Sequence, residues 1–160
     1  MSATQLILIA LIVLAFGFGW LARGRRERAN RDAGSEAALA EFDRALGAAL
    51  TAFQAALGLW QLEGDQISPL GRQALATFER RRVEAWSQRN HSARPAALEA
   101  AAADAIAAID SMAVALAPYG DGRSLQAEQH QRVTRAERSL ATARHALLRG
   151  AMHAKQDRSR

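Results

Sequence analysis

Cysteine is absent from this 160-residue chain, so neither disulfide bonds nor thiolate metal sites contribute to its fold or chemistry. Aromatic residues are few, at 6% of the sequence, and Lys155 is the only lysine among 21 basic residues. No stretch of useful length alternates apolar and polar residues with the period of two that a half-buried strand requires. The sequence therefore predicts no strand and no disulfide framework.

Sequence patterns that support catalysis are also missing. There is no glycine-rich phosphate loop between a strand and a helix, and no serine, histidine and acid set that chain order can assemble. A metal site in a helical bundle needs an acid three or four residues from a histidine, and only His153 with Asp157 has that spacing. We expect no catalytic residue, no cofactor and no metal ion, and a protein that is not an enzyme.

The first 22 residues carry no charged side chain, and the run from Leu6 to Ala22 (LILIALIVLAFGFGWLA) is strongly apolar. At about 1.5 Å per helical residue, the uncharged stretch is about long enough to cross a hydrocarbon core of about 30 Å. A cleaved signal peptide is the alternative, but its positive n-region is missing, since residues 1–5 contain no lysine or arginine. The sequence predicts a single transmembrane anchor over residues 1–22.

Aromatic and basic residues mark the predicted exit of the anchor from the membrane. An amphipathic ring prefers the headgroup layer, and a basic cluster beside a span stays on the cytoplasmic side and attracts anionic headgroups. The predicted membrane-interface residues are Trp20, Arg23, Arg25, Arg26, Arg28 and Arg31. We therefore expect a single-pass protein of a bacterial inner (cell) membrane, with its N-terminus outside and its body in the cytoplasm, on a bilayer with anionic headgroups.

A pair of small residues, Ala15 and Gly19, lies four positions apart within the predicted anchor. Small-xxx-small spacing lets two helix backbones approach closely in lipid, where packing replaces the hydrophobic effect. We predict that these two residues pack the anchor against other membrane-protein subunits or a second copy of the chain. The alternative is that they are ordinary small residues of a membrane helix.

Four amphipathic helical segments are predicted after the anchor, over about residues 35–63, 69–90, 95–117 and 124–153. Apolar residues recur in steps of seven along the first of them, at Leu39, Leu46, Phe53 and Trp60. A heptad seam of this kind requires a partner surface. Residues 23–34 are predicted to form a basic juxtamembrane linker, and residues 155–160 a basic disordered tail.

Capping and turn residues separate the predicted helices. Ser68-Pro69 predicts a helix start, with serine as the N-cap and proline at the first helical position. Ser35 and Ser124 are the other predicted N-caps. The stretch from Pro118 to Gly122 is predicted to be a turn, and Glu128 and Arg132 are spaced for an i,i+4 ion pair.

Burying all four apolar stripes with short loops predicts an all-α fold, in which the single N-terminal transmembrane helix is followed by an antiparallel, up-down four-helix bundle. The segment 69–90 has the weakest stripe. Its inward positions are predicted at Leu75, Phe78, Arg82 or Val83, and Trp86. A long, hairpin-rich coiled coil that completes its core by oligomerising is therefore the alternative architecture.

The net charge of +5 is unevenly distributed along the chain. Residues 23–32 carry +3, residues 33–118 carry −3 and residues 119–160 carry +5. This pattern predicts charge pairing between the acidic early helices and the basic last helix, or with another protein. Nucleic acid is not an expected partner, because the consecutive arginines 80–82 fan over about 200° of a helix. Acids expected on solvated faces are Glu41, Asp43, Glu63, Asp65, Asp104 and Asp110.

These features favour a non-catalytic, single-pass accessory or scaffolding subunit of a larger membrane assembly, which uses its anchor and its helical bundle for protein–protein interaction. One alternative is a membrane-tethered sensor that binds a small ligand among its helices, with Trp60, Trp86 and Phe53 lining the pocket. Another is an envelope or phage protein with the bundle outside. The leading hypothesis assigns no small molecule to the protein.

Overall fold

A computed structural model of the chain describes residues 34–91 and 96–158, and these residues are helical apart from short connections, with no strand among them. The helices are α1, described over Gly34–Glu63, α2 (Pro69–His91), α3 (Ala96–Gly120) and α4 (Ala127–Arg158). The prediction of an all-α protein is confirmed. The chain divides into two compact units, Met1–Ala37 and Ala38–Arg160, and the first is described only at residues 34–37.

One apolar core receives side chains from all four helices. The largest fully buried side chains are Trp60, Tyr119, Phe42, Phe53, Leu46, Ile106, Ile109, Met112, Leu116, Leu140, Leu147 and Val133. Burying one such side chain stabilises a fold by roughly 1.5–3 kcal/mol. The heptad prediction for α1 is confirmed at Leu46, Phe53 and Trp60, which are inaccessible to solvent, whereas Leu39 is half-buried.

Helix α2 contributes least to this core, as its weak apolar stripe predicts. Among the described apolar side chains of α2, only Phe78 and Ala85 are buried, and Leu75 and Trp86 are partly buried against the cluster. The sequence predicted that either Arg82 or Val83 faces inward at the centre of α2, and Val83 is 57% exposed. The Arg82 side chain is the better covered of the two, because it extends across to α3.

The connection between α1 and α2 follows the predicted capping chemistry. The Gly64 amide donates to the Trp60 carbonyl at 3.0 Å, and Gly64 has a positive φ of 69°, so glycine ends α1 in the left-handed conformation. Ser68 Oγ then accepts a hydrogen bond from the Gly71 amide at 3.0 Å. Ser68 is therefore the N-cap of α2 and Pro69 is its first helical residue, as predicted.

Helix α3 continues through Pro118 and ends at Gly120, so the predicted turn from Pro118 to Gly122 was placed too early. The Arg123 amide donates to the Pro118 carbonyl and the Gly122 amide to the Tyr119 carbonyl, both at 2.9 Å, and Gly122 has a φ of 69°. This is a Schellman ending. Pro118 has no amide hydrogen, so it removes only the bond to the carbonyl of Val114, a residue that is 62% exposed.

The other two predicted N-caps also differ from the structure. Ser35 lies within α1, because Gly34 is already helical, and α4 begins at Ala127 rather than directly after Ser124. The His130 amide donates to the Gln126 carbonyl at 3.0 Å, which fixes the first turn of α4. At its other end α4 extends to Arg158, beyond the predicted helix end at residue 153, because nothing in this alanine-rich stretch breaks a helix except Gly150.

Two helical segments, Gly34–Glu63 and Leu98–Gly120, are long and apolar enough to cross a membrane by length and composition. Alanine-rich core helices meet the same criterion, and 39% and 44% of the most apolar stretches of these two segments are buried inside the structure. The predicted anchor over residues 1–22 lies outside the described residues. By length and composition alone, these two segments are candidates for membrane association.

Candidate interaction surface

A broad concave surface, a groove with a volume of about 830 Å³, lies between α3 and α4. Its lining residues are Asp104, Ala107, Ala108, Ser111, His130, Gln131, Thr134, Arg135, Arg138, Ser139, Thr142, Ala143 and Ala146. A second hollow of about 440 Å³ continues it and adds Asp110, Val114, Ala115, Arg132 and Ala136 to the lining. We call these together the α3–α4 groove. Along α4 it extends over residues 130–146, or about 24 Å at 1.5 Å per residue.

The groove exists because small side chains line the contact between the two helices. Ala108, Ala115, Ala136 and Ala143 are buried there, which lets the helices approach closely and leaves a furrow above them. The hydroxyls of Ser111 and Thr134 donate to carbonyls of their own helices, at 2.8 and 3.0 Å. The surface is therefore shallow and mixed in polarity, and its lining contains no Phe, Tyr or Trp.

Basic side chains dominate the charge of the α3–α4 groove. Arg132, Arg135 and Arg138 are spaced three residues apart on α4, so they follow one side of the helix. Arg132 is paired with Glu128 at 2.6 Å, which confirms the predicted i,i+4 ion pair. Arg135 and Arg138 have no ion-pair partner among the described side chains.

The acids near the groove do not cancel this charge. Asp110 Oδ1 accepts hydrogen bonds from Arg82 Nη1 at 2.8 Å and from Trp86 Nε1 at 3.2 Å, so its carboxylate is already engaged by α2. The two carboxylates that contact Arg82, Glu79 first and Asp110 second, raise the pKa of its guanidinium. Asp104 is the one carboxylate in the lining of the larger hollow, opposite Arg135 and Arg138.

Three acids expected on solvated faces instead bind across helices. Asp110 binds Arg82 as described, and Asp43 accepts two hydrogen bonds from Arg144, from Nε at 2.8 Å and from Nη2 at 2.9 Å. This bidentate contact raises the pKa of Arg144 and is one of the predicted pairings between an early helix and the basic last helix. Gly47, one turn after Asp43, lies beside the guanidinium, and a Cβ there would be 3.6 Å from Arg144 Nη2, an ordinary contact.

Glu63 is the third of these acids. Its carboxylate accepts hydrogen bonds from the Ser68 hydroxyl, the Ser68 amide and the Tyr119 hydroxyl. These bonds, with Ser68 contributing most and Tyr119 next, lower the pKa of Glu63. Burial of Tyr119, and then its bond to Glu63, raises the pKa of the phenol. The cluster joins the ends of α1 and α3 to the start of α2, and it is a structural contact.

The aromatic residues predicted to line a ligand pocket each take part in a different contact. Phe53 meets Phe78 with ring centroids 5.7 Å apart, and Trp60 stacks on Tyr119 at 5.6 Å. Trp60 Nε1 donates to the Arg123 carbonyl at 2.6 Å. Trp86, by contrast, donates to Asp110 on α3 and lies beneath Arg89. None of the three lines the α3–α4 groove.

The predicted membrane residues lie outside the part of the chain that the structure describes. This applies to the interface residues Trp20, Arg23, Arg25, Arg26, Arg28 and Arg31, and to the helix-packing pair Ala15 and Gly19. Within residues 34–91 and 96–158, no three histidine, aspartate or glutamate side chains converge on a site that could hold a metal ion. Arg135 and Arg138 were not singled out from the sequence, although their i,i+3 spacing in a segment of net charge +5 was the available signal.

Comparison with known proteins does not identify the chain, since no family model, no curated protein and no solved structure matches it.

Proposed function

We propose that this chain is a non-catalytic, single-pass membrane protein that serves as an accessory or scaffolding subunit of a larger membrane assembly. In this proposal residues 1–22 anchor it in a bacterial inner membrane, with the N-terminus outside and the helical part in the cytoplasm. The observation that carries the proposal is the α3–α4 groove, whose Arg135 and Arg138 are exposed and lack ion-pair partners among the described residues. It offers a binding surface and no catalytic constellation.

We further propose that the four helices form an antiparallel bundle. Several contacts support this arrangement. Asp43 and Gln54 of α1 meet Arg144 and Glu137 of α4 in opposite chain order. Arg82 and Arg89 of α2 bind Asp110 and Glu99 of α3, again in reverse order. A bundle of this topology buries all four apolar stripes with short connections.

In this proposal α1 and α3 are core helices of the bundle, although both are apolar enough to span a membrane. Each carries a charged residue that is paired with another helix, Asp43 with Arg144 and Asp110 with Arg82. Charged groups at the centre of a bilayer cost at least about 2.5–3.5 kcal/mol each, which opposes inserting these helices. The uncharged stretch Met1 to Ala22 carries no such cost.

The partner that fits the groove is an amphipathic helix with acidic residues. Exposed arginines supply donors for carboxylates, while Val114, Ala107 and Ala146 supply an apolar floor. A helix lying in a groove of about 24 Å would place about four turns against it. Complementary charge of this kind sets orientation and suppresses wrong partners more than it adds affinity.

Crosslinking in the native membrane tests this function. A Thr142→Cys variant places a single thiol in the groove, because the chain has no other cysteine. We expect a thiol-specific photocrosslinker there to give one defined adduct with a membrane-protein subunit. Arg135→Glu with Arg138→Glu should abolish it, whereas Arg80→Glu, an exposed arginine on α2, should not. An adduct that survives charge reversal in the groove, or recovery of the monomer alone, would contradict the proposal.

Membrane topology is tested separately, again by introducing single cysteines into a chain that has none. Leu62 is 84% exposed, so a Leu62→Cys variant should react readily with any reagent that reaches it. In intact cells, a membrane-impermeant maleimide should label a Ser2→Cys variant and leave Leu62→Cys unlabelled until the membrane is permeabilised. The reverse pattern would place the helical part outside and favour an envelope protein.

A further inference from the structure

Two large apolar side chains are exposed near the C-terminal end of α4, on the side of the helix that faces away from the core. Leu148 is 48% exposed and Met152 is 60% exposed. They lie four residues apart, and with His145 and Arg149, which are also exposed, they follow the i, i+3, i+4, i+7 spacing of one helix face. We call these four residues the α4 terminal stripe. The buried residues Ala143 and Leu147 lie on the other side of the helix.

The sequence around the stripe is basic. Residues 145–160 contain Arg149, Lys155, Arg158 and Arg160 against a single acid, Asp157, which gives a net charge of +3. An apolar strip bordered by arginine and lysine is the composition of helices that bind at a membrane surface. Leu148, Arg149 and Met152 lie beyond Ala146, the last α4 residue that lines the α3–α4 groove.

The α4 terminal stripe lies level with the start of α1, the helix that the chain enters after the predicted anchor. Asp43 pairs with Arg144, and α1 and α4 meet in opposite chain order. Five residues before Asp43 on α1 and five residues after Arg144 on α4, a rise of about 7.5 Å along each helix, Ala38 and Arg149 are level with each other. Ala38 is joined to the end of the predicted anchor by residues 23–37, which reach at most about 50 Å when extended.

We propose that the α4 terminal stripe is a second membrane contact, which binds the headgroups of anionic phospholipids while Leu148 and Met152 enter the boundary between headgroups and acyl chains. This inference rests on the anchor of the proposed function. The arginines of residues 23–31 and the basic end of α4 then bind the same class of lipid, anionic phospholipid. In this proposal the C-terminal end of α4 lies at the membrane surface, and the α3–α4 groove stays open to a partner.

A fluorescent probe on the full-length protein in proteoliposomes tests the proposal. His153 is exposed and adjacent to Met152, so a His153→Cys variant carries an environment-sensitive dye beside the stripe without removing it. We expect blue-shifted emission in vesicles of phosphatidylcholine with phosphatidylglycerol, and less shift in phosphatidylcholine alone. Raising the salt to 1 M shortens the Debye length to about 3 Å and should reverse the electrostatic part of the shift.

Variants assign the signal to the stripe. Leu148→Gln with Met152→Gln, or Arg149→Gln alone, should reduce the lipid-dependent shift. Arg72→Gln, an exposed arginine at the start of α2, should leave it unchanged. The same dye at Leu62→Cys, at the far end of α1, should show no dependence on lipid charge.

Emission from His153→Cys that does not depend on lipid charge, or an equal response at Leu62→Cys, would overturn the proposal. A shift that appears only when membrane-protein partners are present would assign the stripe to a protein contact and overturn it as well. Flotation in neutral phosphatidylcholine vesicles reports separately on the anchor. A protein that fails to float there contradicts the anchor, whereas one that floats without a charge-dependent shift contradicts only the stripe.

Discussion

The Tyr119 hydroxyl donates a hydrogen bond to Glu63 Oε2 at 2.5 Å and so joins two helix ends that lie 56 residues apart in the chain. Ser68, the N-cap of α2, donates to the same carboxylate through its amide and its hydroxyl. Because Tyr119 also stacks on Trp60, one buried phenol connects the polar cluster to the apolar core. These contacts join the ends of α1 and α3 to the start of α2. Single substitutions in them can therefore be used to measure how much each contact contributes to the free energy of unfolding.

Replacing Tyr119 with phenylalanine removes the hydroxyl and keeps the ring. A hydrogen bond to a charged group contributes about 1.5–3 kcal/mol, so we expect Tyr119→Phe to lower the free energy of unfolding by about that amount. Urea unfolding of the detergent-solubilised protein, followed by circular dichroism, measures it. Ser111→Ala removes an exposed hydroxyl that donates only to its own helix, and it should change stability by less than about 0.5 kcal/mol.

Glu63 should make the stability of the protein depend on pH on the acid side. Its pKa is lowered in the folded state, first by Ser68 and then by Tyr119, from an ordinary value of 4.5. A lowered pKa contributes stability that is present above the unfolded-state pKa and is lost as pH falls through the folded-state pKa. Melting temperatures measured from pH 7 down to pH 3 should therefore fall more steeply for the natural protein than for Glu63→Gln.

The Tyr119→Phe variant provides an internal check on this pH dependence. It removes the second contribution to the lowered pKa of Glu63 and leaves both bonds from Ser68. Its melting temperature should fall with acid less steeply than that of the natural protein and more steeply than that of Glu63→Gln. Parallel curves for all three proteins would show that Glu63 does not drive the acid response.

Helix type and core positions were readable from the sequence because both follow from local periodicity. The apolar residues that recur in steps of seven along α1, such as Leu46, Phe53 and Trp60, are buried. Ser68-Pro69 was also readable, since capping chemistry acts within a few residues. Tyr119 was not predicted as a core residue, because Pro118 indicated that the helix ended before it. In the structure α3 continues past the proline, and the Gly122 and Arg123 amides form the Schellman ending after it.

Contacts between distant segments were not readable in the same way. Asp43 and Arg144 are 101 residues apart, and nothing in the local pattern of either helix selects the other as its partner. Glu63 and Asp110 were assigned to solvent because they fall outside the apolar stripes. Each nevertheless accepts hydrogen bonds from residues of other segments, Glu63 from Ser68 and Tyr119 and Asp110 from α2. The α3–α4 groove forms only where α3 packs against α4. The sequence of α4 alone therefore does not show that its arginines line a groove.

Gly71 should tolerate no larger residue, because Tyr119 occupies the space beside it. A Cβ at Gly71 would overlap the Tyr119 hydroxyl and lie 2.7 Å from Glu63 Oε2, and neither can withdraw without breaking their hydrogen bond. We expect Gly71→Ala to destabilise the protein by about 1–3 kcal/mol. Gly58→Ala is the matched control, since α1 leaves that position open and alanine favours a helix, so it should stabilise by about 0.5–1 kcal/mol. Equal effects of the two variants would contradict the close approach at Gly71.

The Asp43–Arg144 pair should contribute more to stability than an exposed ion pair of the same helix. Its side chains are only 25% and 29% exposed and meet through two hydrogen bonds, whereas those of Glu41 and Arg44 are 51% and 71% exposed. Double-mutant cycles to alanine measure each coupling free energy. We expect about 1–3 kcal/mol for Asp43 with Arg144 and below about 0.5 kcal/mol for Glu41 with Arg44.

High salt should increase the difference between the two coupling free energies, because ions screen exposed charges more than half-buried ones. Between 0.1 M and 1 M salt the Debye length falls from about 10 Å to about 3 Å, which should remove the coupling of Glu41 with Arg44. The coupling of Asp43 with Arg144 should persist, since protein atoms cover most of both side chains and exclude the ions. If both couplings vanish at high salt, the contact between α1 and α4 is a surface ion pair, and the register between these two helices depends on the apolar core alone.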